Sequence, residues 1–120
     1  MLFRSRRTAA PMRFLARTGA TYRVVNSRDV LCFVSEEGLT RVHTGCQRYE
    51  LAPTLNELEE RLEPRQFFRI SRAAIVNLDA VKEVAPTSGG HGEVTLRDGV
   101  RLEVSRRRFR QLTERLGGAD

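Results

Sequence analysis

Cysteine is scarce in this sequence, which contains only Cys32 and Cys46 among its 120 residues. Two cysteines cannot build the disulfide framework that stabilises many small secreted domains. Taken with His43 and His91, they also do not show the paired ligand spacing of a zinc-finger site. We therefore expect free thiols, no bound metal and no cofactor.

Long apolar runs are missing as well, so the sequence predicts neither a membrane span nor a secretory signal. This absence, together with free thiols, favours a cytoplasmic protein. Residues 1–12 carry Arg4, Arg6 and Arg7 among small side chains. We interpret them as a flexible basic arm, which either follows a phosphate backbone or is a terminus without a role in binding.

The usual signatures of an active site are a third absence. The sequence shows no activated nucleophile, paired carboxylates or metal cluster, and neither Ser71 nor Ser105 lies in a Gly-x-Ser-x-Gly setting. The glycine-rich segment Gly89–Gly92 does not open a helix and has no lysine of the kind that phosphate-binding loops use. We therefore expect the protein not to be an enzyme.

Arginine is what the sequence has in abundance. Lysine and arginine number 21 against 15 aspartates and glutamates, and nearly all of these cations are arginine. The guanidinium group is planar and suits two-point contacts with phosphates and base edges. Net charge alone does not identify a partner, so the placement of the arginines must decide. The length and a hydrophobic content of 40% indicate one packed domain, which we place at residues 13–117.

The N-terminal half of this domain has the pattern of strands. Two short strands are separated by the turn signal Thr18–Ala20. The continuous apolar run Val30–Val34 predicts a central strand that is buried on both faces. The segments Leu39–His43 and Gln47–Leu51 predict a hairpin around a Thr-Gly turn.

Two segments have helical features, so the predicted fold is mainly β with two helices. The first, about residues 54–62, begins with a capping box formed by Thr54 and Glu57. The second, about residues 105–116, begins with Ser105 as its N-cap. The apolar stripes are formed by Leu55, Leu58 and Leu62 in the first helix and by Phe109, Leu112 and Leu116 in the second.

A hairpin near the C-terminus permits a prediction of strand register. Apolar residues alternate between Gly92 and Val104 and should face one core. A two-residue turn would split that apolar face between the two strands. We predict instead a three-residue loop, Arg97–Gly99, with its glycine in the left-handed conformation, which pairs Val94 with Leu102.

Two serine-led corners carry the arginines most suited to binding. In the first, an apolar strand from Phe67 leads to Ser71, whose hydroxyl can cap a turn from which Arg72 projects. In the second, Ser105 is followed by three arginines at the start of a helix. The helix macrodipole disfavours cations there, and a bound phosphate would offset the loss.

These stretches resemble the signature of the LytTR family of DNA-binding domains. The resemblance rests on Phe-Phe-Arg-Ile-Ser-Arg-Ala-Ala-Ile-Val-Asn-Leu at residues 67–78, on the hairpin and Arg-Arg of residues 92–107, and on Leu-Asn-Glu-Leu at residues 55–58. It covers residues 14–116 and implies an elongated fold of small antiparallel sheets, which inserts loop side chains into DNA grooves. The family usually has histidine where this chain has Ser71.

The resemblance also implies roles for individual residues. Arg72 and Arg107 match positions that contact bases in the family. The predicted phosphate contacts are Ser71, Arg106, Arg108, Arg69 and Arg110, and a possible third contact loop contains Ser35, Gly38 and Thr40.

The implied function is sequence-specific binding of duplex DNA by a bacterial transcriptional regulator. Family members commonly bind promoter direct repeats as two copies, and a regulatory protein partner is possible here because no receiver domain precedes Phe14. One alternative is that the arginines merely form a solvated surface. Another is an RNA-binding β module that stacks bases on exposed aromatics. The aromatic residues fall largely at positions predicted to be core: Phe14, Tyr22, Phe33, Tyr49, Phe67, Phe68 and Phe109.

Overall fold

The structure is a computed structural model that describes residues 12–45 and 47–117. Residues 1–11 of the predicted basic arm and Cys46 therefore lie outside the described residues. In the described part, ten strands and two α-helices follow one another, and three short 3₁₀ turns join them. The elements are β1 (Arg13–Thr18), β2 (Thr21–Asn26), β3 (Val30–Glu36), β4 (Leu39–Thr44), β5 (Arg48–Leu51), α1 (Leu55–Arg61), β6 (Phe67–Ser71), β7 (Ala74–Asn77), β8 (Val81–Pro86), β9 (Gly92–Leu96), β10 (Arg101–Val104) and α2 (Arg106–Gly117).

The strands form two antiparallel sheets. The larger sheet has the order β2-β1-β5-β4-β3-β7-β6, and the smaller has the order β10-β9-β8. The fold class predicted from the sequence, mainly β with antiparallel sheets and two helices, is confirmed. The described residues form a flat body with principal extents of 45 × 42 × 24 Å. Within them, no helix is long and apolar enough to cross a membrane.

Strand β3 lies inside the larger sheet and separates two hydrophobic cores, as its continuous apolar run predicts. On one face, Phe33 packs edge-on against Phe14, with ring centroids 5.3 Å apart, and the leucines of α1 cover this core. On the other face, Leu31 and Val34 pack with the smaller sheet and α2. The molecule therefore has three layers, with α1 and the smaller sheet on opposite faces of the larger sheet.

Helix α1 begins with the predicted capping box. The backbone N–H of Glu57 donates to Thr54 Oγ1 at 3.1 Å, and the N–H of Thr54 donates to Glu57 Oε1 at 2.9 Å. Leu58 has no exposed surface, and burial of such a side chain contributes about 1.5–3 kcal/mol. The capping box and the buried leucines therefore fix the start of α1 against the sheet.

The C-terminal hairpin has the predicted register. Val94 pairs with Leu102, and the N–H of Leu96 donates to the carbonyl oxygen of Val100 at 2.8 Å. Gly99 has a φ of +94°, which a residue with a side chain adopts only with strain. The three-residue loop is therefore confirmed, and Val94 is completely buried.

Asn77 connects the strands at one end of the molecule. Its side chain is 1% exposed; Nδ2 donates to the carbonyl oxygen of Val30 at 2.8 Å, and Oδ1 accepts from the N–H of Asp79 at 2.9 Å. These bonds join the start of β3 to the 3₁₀ turn that follows β7. The asparagine of the Ile-Val-Asn-Leu segment thus gives buried backbone groups their hydrogen bonds. Leaving such groups without a partner is energetically costly.

The antiparallel topology gives the molecule two ends. We call one the arginine end, which consists of the connections at residues 37–38, 72–73 and 87–91 and the first turns of both helices. We call the other the asparagine end, which consists of the connections at residues 27–29, 78–80 and 97–100 and of Gly45 and Gln47.

Candidate nucleic-acid interface

The first serine-led corner is a tight turn between β6 and β7. The Ser71 hydroxyl oxygen accepts a hydrogen bond from the N–H of Ala73 at 3.1 Å, as predicted for a turn cap. The pairing of β6 with β7 shifts register between Arg69 and Ser71. The bulge and the cap together turn Arg72 outward, and its side chain is exposed.

Arg69 holds the backbone of this corner from beneath. Its Nε donates to the Ser71 carbonyl oxygen at 2.6 Å and its Nη2 to the Arg72 carbonyl oxygen at 2.9 Å. Its Nη1 donates to Glu59 Oε1 at 2.8 Å and to Asn56 Oδ1 at 3.0 Å. The sequence predicts a phosphate contact for Arg69, but in the unbound chain its guanidinium is occupied by these internal partners.

The second corner lies beside the first. The N–H of Ser105 donates to the carbonyl oxygen of Ile70 at 2.9 Å, and the Ser105 carbonyl accepts the first helical hydrogen bond from the N–H of Phe109 at 2.8 Å. A shared groove is lined by residues from both corners, including Arg72 and Ser105. The structure therefore brings the two predicted corners together at the arginine end.

The arginines of α2 point in different directions because successive helical residues are rotated by about 100°. Arg107 and Arg110 are exposed. The Nε of Arg106 donates to the Gly89 carbonyl oxygen at 2.8 Å, which attaches this side chain to the loop before β9. Arg108 turns the other way and is half-buried in a hollow beside Pro64. The predicted phosphate contacts are thus spread around the first turns of α2.

A glycine fixes how closely α2 approaches the smaller sheet. A Cβ atom added to Gly92 would overlap the ring of Phe109. Leu112, one turn further along α2, is completely buried. The helix that carries Arg107 therefore rests directly on the backbone of β9.

The possible third contact loop also adjoins the first corner. The N–H of Ser35 donates to the Ala73 carbonyl oxygen at 2.8 Å. A shallow hollow contains Ser35, Gly38 and Thr40 together with Arg72. Ser35 and Gly38 are exposed, whereas Thr40 is only 8% exposed and offers little surface to a ligand.

The acidic groups nearest the corners are partly neutralised by ion pairs. Glu36 Oε1 lies 3.3 Å from Arg41 Nε, and Glu59 Oε1 lies 2.8 Å from Arg69 Nη1. Arg72 and Arg107 have no such partner among residues 12–45 and 47–117. Their charges therefore remain available to an anionic ligand, for which partly desolvated guanidiniums are well suited.

The groups with shifted pKa values lie in the interior rather than at the corners. Burial, with a smaller contribution from the nearby Asp98, raises the pKa of the Cys32 thiol to about 12. Burial lowers the pKa of His43, and the charge of Arg48 lowers it too. Among the described residues, no group of three or more His, Cys, Asp or Glu side chains could hold a metal ion.

Asn56 and Glu59 are functional candidates that the sequence analysis did not identify. They lie on the outer face of α1 and hold Arg69. Their spacing of three residues places them on one side of a helix, which was the available signal. Their partner is ten or more residues away, however, and sequence spacing alone does not reveal a bond of that kind.

Among the described residues, the aromatic side chains do not form a stacking surface. Of the predicted core aromatics, Tyr22 is 60% exposed and Phe109 is partly buried. The exposure of Tyr22 differs from the prediction: Leu15 and Val24 on the same face of β1 and β2 are exposed too, so no other described layer covers that face. The others are buried: Phe14, Phe33, Tyr49, Phe67 and Phe68.

The fold and the paired corners define a class of small, mainly β protein that exposes arginines at one end. Of the arginines expected on loops, Arg72 lies on a turn, whereas Arg107 lies on helix α2. The model of the LytTr DNA-binding domain matches residues 20–117. The chain belongs to the LytTR DNA-binding domain family.

Two curated relatives illustrate how much of the chain is shared. The transcriptional regulatory protein LytR of Staphylococcus aureus (strain N315) is 32% identical over 83 residues, which cover 69% of this chain and 34% of that protein. The sensory transduction protein LytT of Bacillus subtilis (strain 168) is 28% identical over 98 residues, which cover 82% of this chain and 41% of that protein. The chain thus matches well under half of the length of these relatives.

A solved structure has the same fold. It is the LytTr DNA-binding domain of a putative methyl-accepting/DNA response regulator from Bacillus cereus. The TM-score is 0.81, with 21% sequence identity over 91% of this chain and 98% of that one. This similarity confirms the mainly β, LytTR-type fold predicted from the sequence.

Proposed function

We propose that the arginine end binds duplex DNA and reads its sequence, as the DNA-binding part of a bacterial transcriptional regulator. The observation that carries the proposal is the hydrogen bond from the N–H of Ser105 to the carbonyl oxygen of Ile70, which joins the two corners. Exposed Arg72 and Arg107 then extend from neighbouring, rigid backbones. A single duplex can contact both corners.

Arg72 and Arg107 are the proposed base readers. An arginine that makes two hydrogen bonds to guanine discriminates by about 1–3 kcal/mol per contact. Such a contact requires a guanidinium whose position is well defined. The capped turn restricts the position of the Arg72 guanidinium, and the contact of α2 with the smaller sheet restricts that of Arg107.

The arginines of α2 other than Arg107 and Arg115 are proposed to hold phosphates. Arg106, Arg108 and Arg110 surround the first turns of α2, where the helix macrodipole also favours an anion. The Ser71 hydroxyl accepts from Ala73, so its hydrogen is free to be donated to a phosphate oxygen. Such contacts position the protein without reading sequence. The loop with Ser35, Gly38 and Thr40 would reach the backbone beyond Arg72.

Two copies are proposed to occupy direct repeats, as the family resemblance implies. Copies in the same orientation on one face of the duplex require half-sites separated by whole helical turns, or multiples of about 10–10.5 base pairs. Control by a regulatory protein partner is part of the same proposal.

Selection from random duplexes tests the proposal most directly. The protein is incubated with a random pool at two salt concentrations, and the bound sequences are identified. We expect an enriched motif and a loss of affinity with salt whose slope counts about 0.9 per phosphate contacted. An unenriched pool, or single-stranded RNA that competes as well as duplex DNA at the same salt, would contradict it.

A further inference from the structure

We propose that Arg69 is a positioning residue that sets how well Arg72 discriminates between base sequences. The inference rests on the proposed function and extends it from the exposed arginine to the one beneath it. Arg69 does not contact DNA in this proposal. It acts by fixing the backbone on both sides of the Arg72 side chain.

The geometry of the guanidinium carries the proposal. Nε and Nη2 of Arg69 bond to the carbonyl oxygens of Ser71 and Arg72 at 2.6 and 2.9 Å. These are the two peptide groups that flank the Cα atom of Arg72. A planar guanidinium can hold both at once because its N–H groups have a fixed angular arrangement, so it restrains the direction in which the Arg72 side chain leaves the turn.

The other side of the same guanidinium is attached to α1. Nη1 bonds to Glu59 and Asn56, and the ion pair with Glu59 has a nitrogen–oxygen distance of 2.8 Å. Helix α1 is itself fixed by its capping box and by its buried leucines. A chain of hydrogen bonds therefore runs from a packed helix, through Arg69, to the backbone of Arg72.

A direct phosphate contact explains Arg69 less well. A guanidinium has five N–H donors, and four hydrogen bonds from Arg69 are made to protein acceptors. The side chain is only 11% exposed, and Glu59 already balances its charge. Little of Arg69 is left to bind a phosphate.

The expected consequence is a loss of discrimination without a loss of general affinity. Base recognition requires a narrow range of side-chain positions, whereas phosphate contacts depend mainly on charge. If the corner loosens, Arg72 still attracts DNA but no longer meets one base edge in a fixed geometry. Specific binding should then weaken while binding to an unrelated duplex does not.

Arg69→Lys is the central test. Lysine keeps the positive charge, but a single ammonium group cannot reproduce the flat arrangement that holds both carbonyls. Dissociation constants are measured for the selected duplex and for a scrambled duplex at several salt concentrations. We expect the ratio between the two to fall by about 5- to 150-fold, the value of one good base contact, with the scrambled constant and the salt slope unchanged. Arg61→Lys, an exposed arginine on α1, is the matched control and should leave the ratio unchanged.

Glu59→Gln provides a second route that perturbs the corner less. The glutamine oxygen can still accept from Nη1, but the charge-assisted bond is lost. The ratio should fall in the same direction by a smaller factor. Circular dichroism and thermal unfolding show whether each variant is folded at the assay temperature. If Arg69→Lys is unfolded at that temperature, the result for Glu59→Gln decides the test.

Each contrary result has its own meaning. A folded Arg69→Lys with the parent's ratio overturns the inference and leaves the proposed function intact. Equal weakening of Arg69→Lys on both duplexes, as expected when a two-point contact of arginine with phosphate is lost, identifies Arg69 as a phosphate contact and also overturns the inference. If the parent protein itself does not distinguish the two duplexes, the proposed function fails, and this inference fails with it.

Discussion

The two ends of the molecule fix their loops with different chemistry. At the asparagine end, the neutral, buried side chain of Asn77 satisfies backbone groups on two chain segments. At the arginine end, Arg69 does the same with a charged group that remains 11% exposed. Side chains bond to the backbone at both ends, but the side chain that joins separate segments is neutral and buried at the asparagine end and charged at the arginine end.

The exposed charges differ as well. The asparagine end mixes both signs among its exposed side chains, which are Arg28, Asp29, Asp79, Arg97 and Asp98. At the arginine end, the exposed arginines, Arg72, Arg106 and Arg107, outnumber the exposed acids, Glu37 and Glu57, and the nearby Glu36 is paired with Arg41. The fixed loops of the asparagine end therefore contribute to the stability of the fold. The fixed loops of the arginine end also hold exposed arginines in position for a ligand.

The largest expected effect lies at the asparagine end. Asn77→Ala leaves the Val30 carbonyl and the Asp79 N–H without their partners, and each unsatisfied buried group costs about 1–3 kcal/mol. We expect the free energy of unfolding to fall by about 2–4 kcal/mol, measured by urea denaturation. Sequence discrimination should be unchanged at temperatures where the variant is folded. If the free energy of unfolding of Asn77→Ala equals that of the parent protein, the bonds of Asn77 do not stabilise the asparagine end.

Arg107→Ala should have the opposite profile. Because the side chain is exposed, the free energy of unfolding should change by less than about 0.5 kcal/mol. Discrimination between the selected and scrambled duplexes should fall by about 1–3 kcal/mol, measured from dissociation constants at fixed salt. Arg97→Ala, an exposed arginine at the asparagine end, is the control. Equal weakening on both duplexes would make Arg107 a phosphate contact instead of a base reader.

Acid should weaken the fold through His43, whose strand leads toward the asparagine end. Burial lowers its folded-state pKa below 6.5, so the unfolded chain binds the proton more readily. The stability contributed by neutral His43 is therefore complete above about pH 6.5 and is lost as the pH falls toward the folded-state pKa, by at most about 1.4 kcal/mol per pH unit. Urea midpoints at several pH values measure this. The slope should shrink in His43→Phe but not in His91→Gln.

The smallest expected effect concerns the support of the arginine end. Thr54→Ala removes one half of the capping box, which typically costs about 1 kcal/mol. The loss should appear in thermal unfolding. Thr54→Ser should retain most of the stability because serine keeps the accepting hydroxyl. If Thr54→Ala also lowers sequence discrimination, the chain of contacts from α1 to Arg72 transmits the change.

Local patterns in the sequence predicted much of the fold. The capping box of Thr54, the register of the C-terminal hairpin and the turn cap of Ser71 each depend on residues a few positions apart. Their geometry is set by backbone sterics and hydrogen bonding within one segment. These are the features that a single sequence expresses directly.

Features that depend on how strands and helices pack together could not be predicted from such local patterns. In the sequence, Arg69 has the pattern of a strand residue whose cation points to solvent. Its partners Asn56 and Glu59 come close only because α1 packs against β6 and β7. Tyr22 is exposed, together with Leu15 and Val24, because no other described layer covers that face of β1 and β2. Periodicity records alternation along a strand, but it does not say which face of a sheet another layer covers.

The missing side chain of Gly92 sets the orientation of α2 on the smaller sheet. Phe109 occupies the space in which a methyl group would stand, so any larger residue at this position must lift or tilt α2. Arg107 would then move with the tilted helix, while Arg72, on the turn between β6 and β7, stayed in place. In the proposed function, the direction of Arg107 therefore depends on a glycine that lies outside both corners.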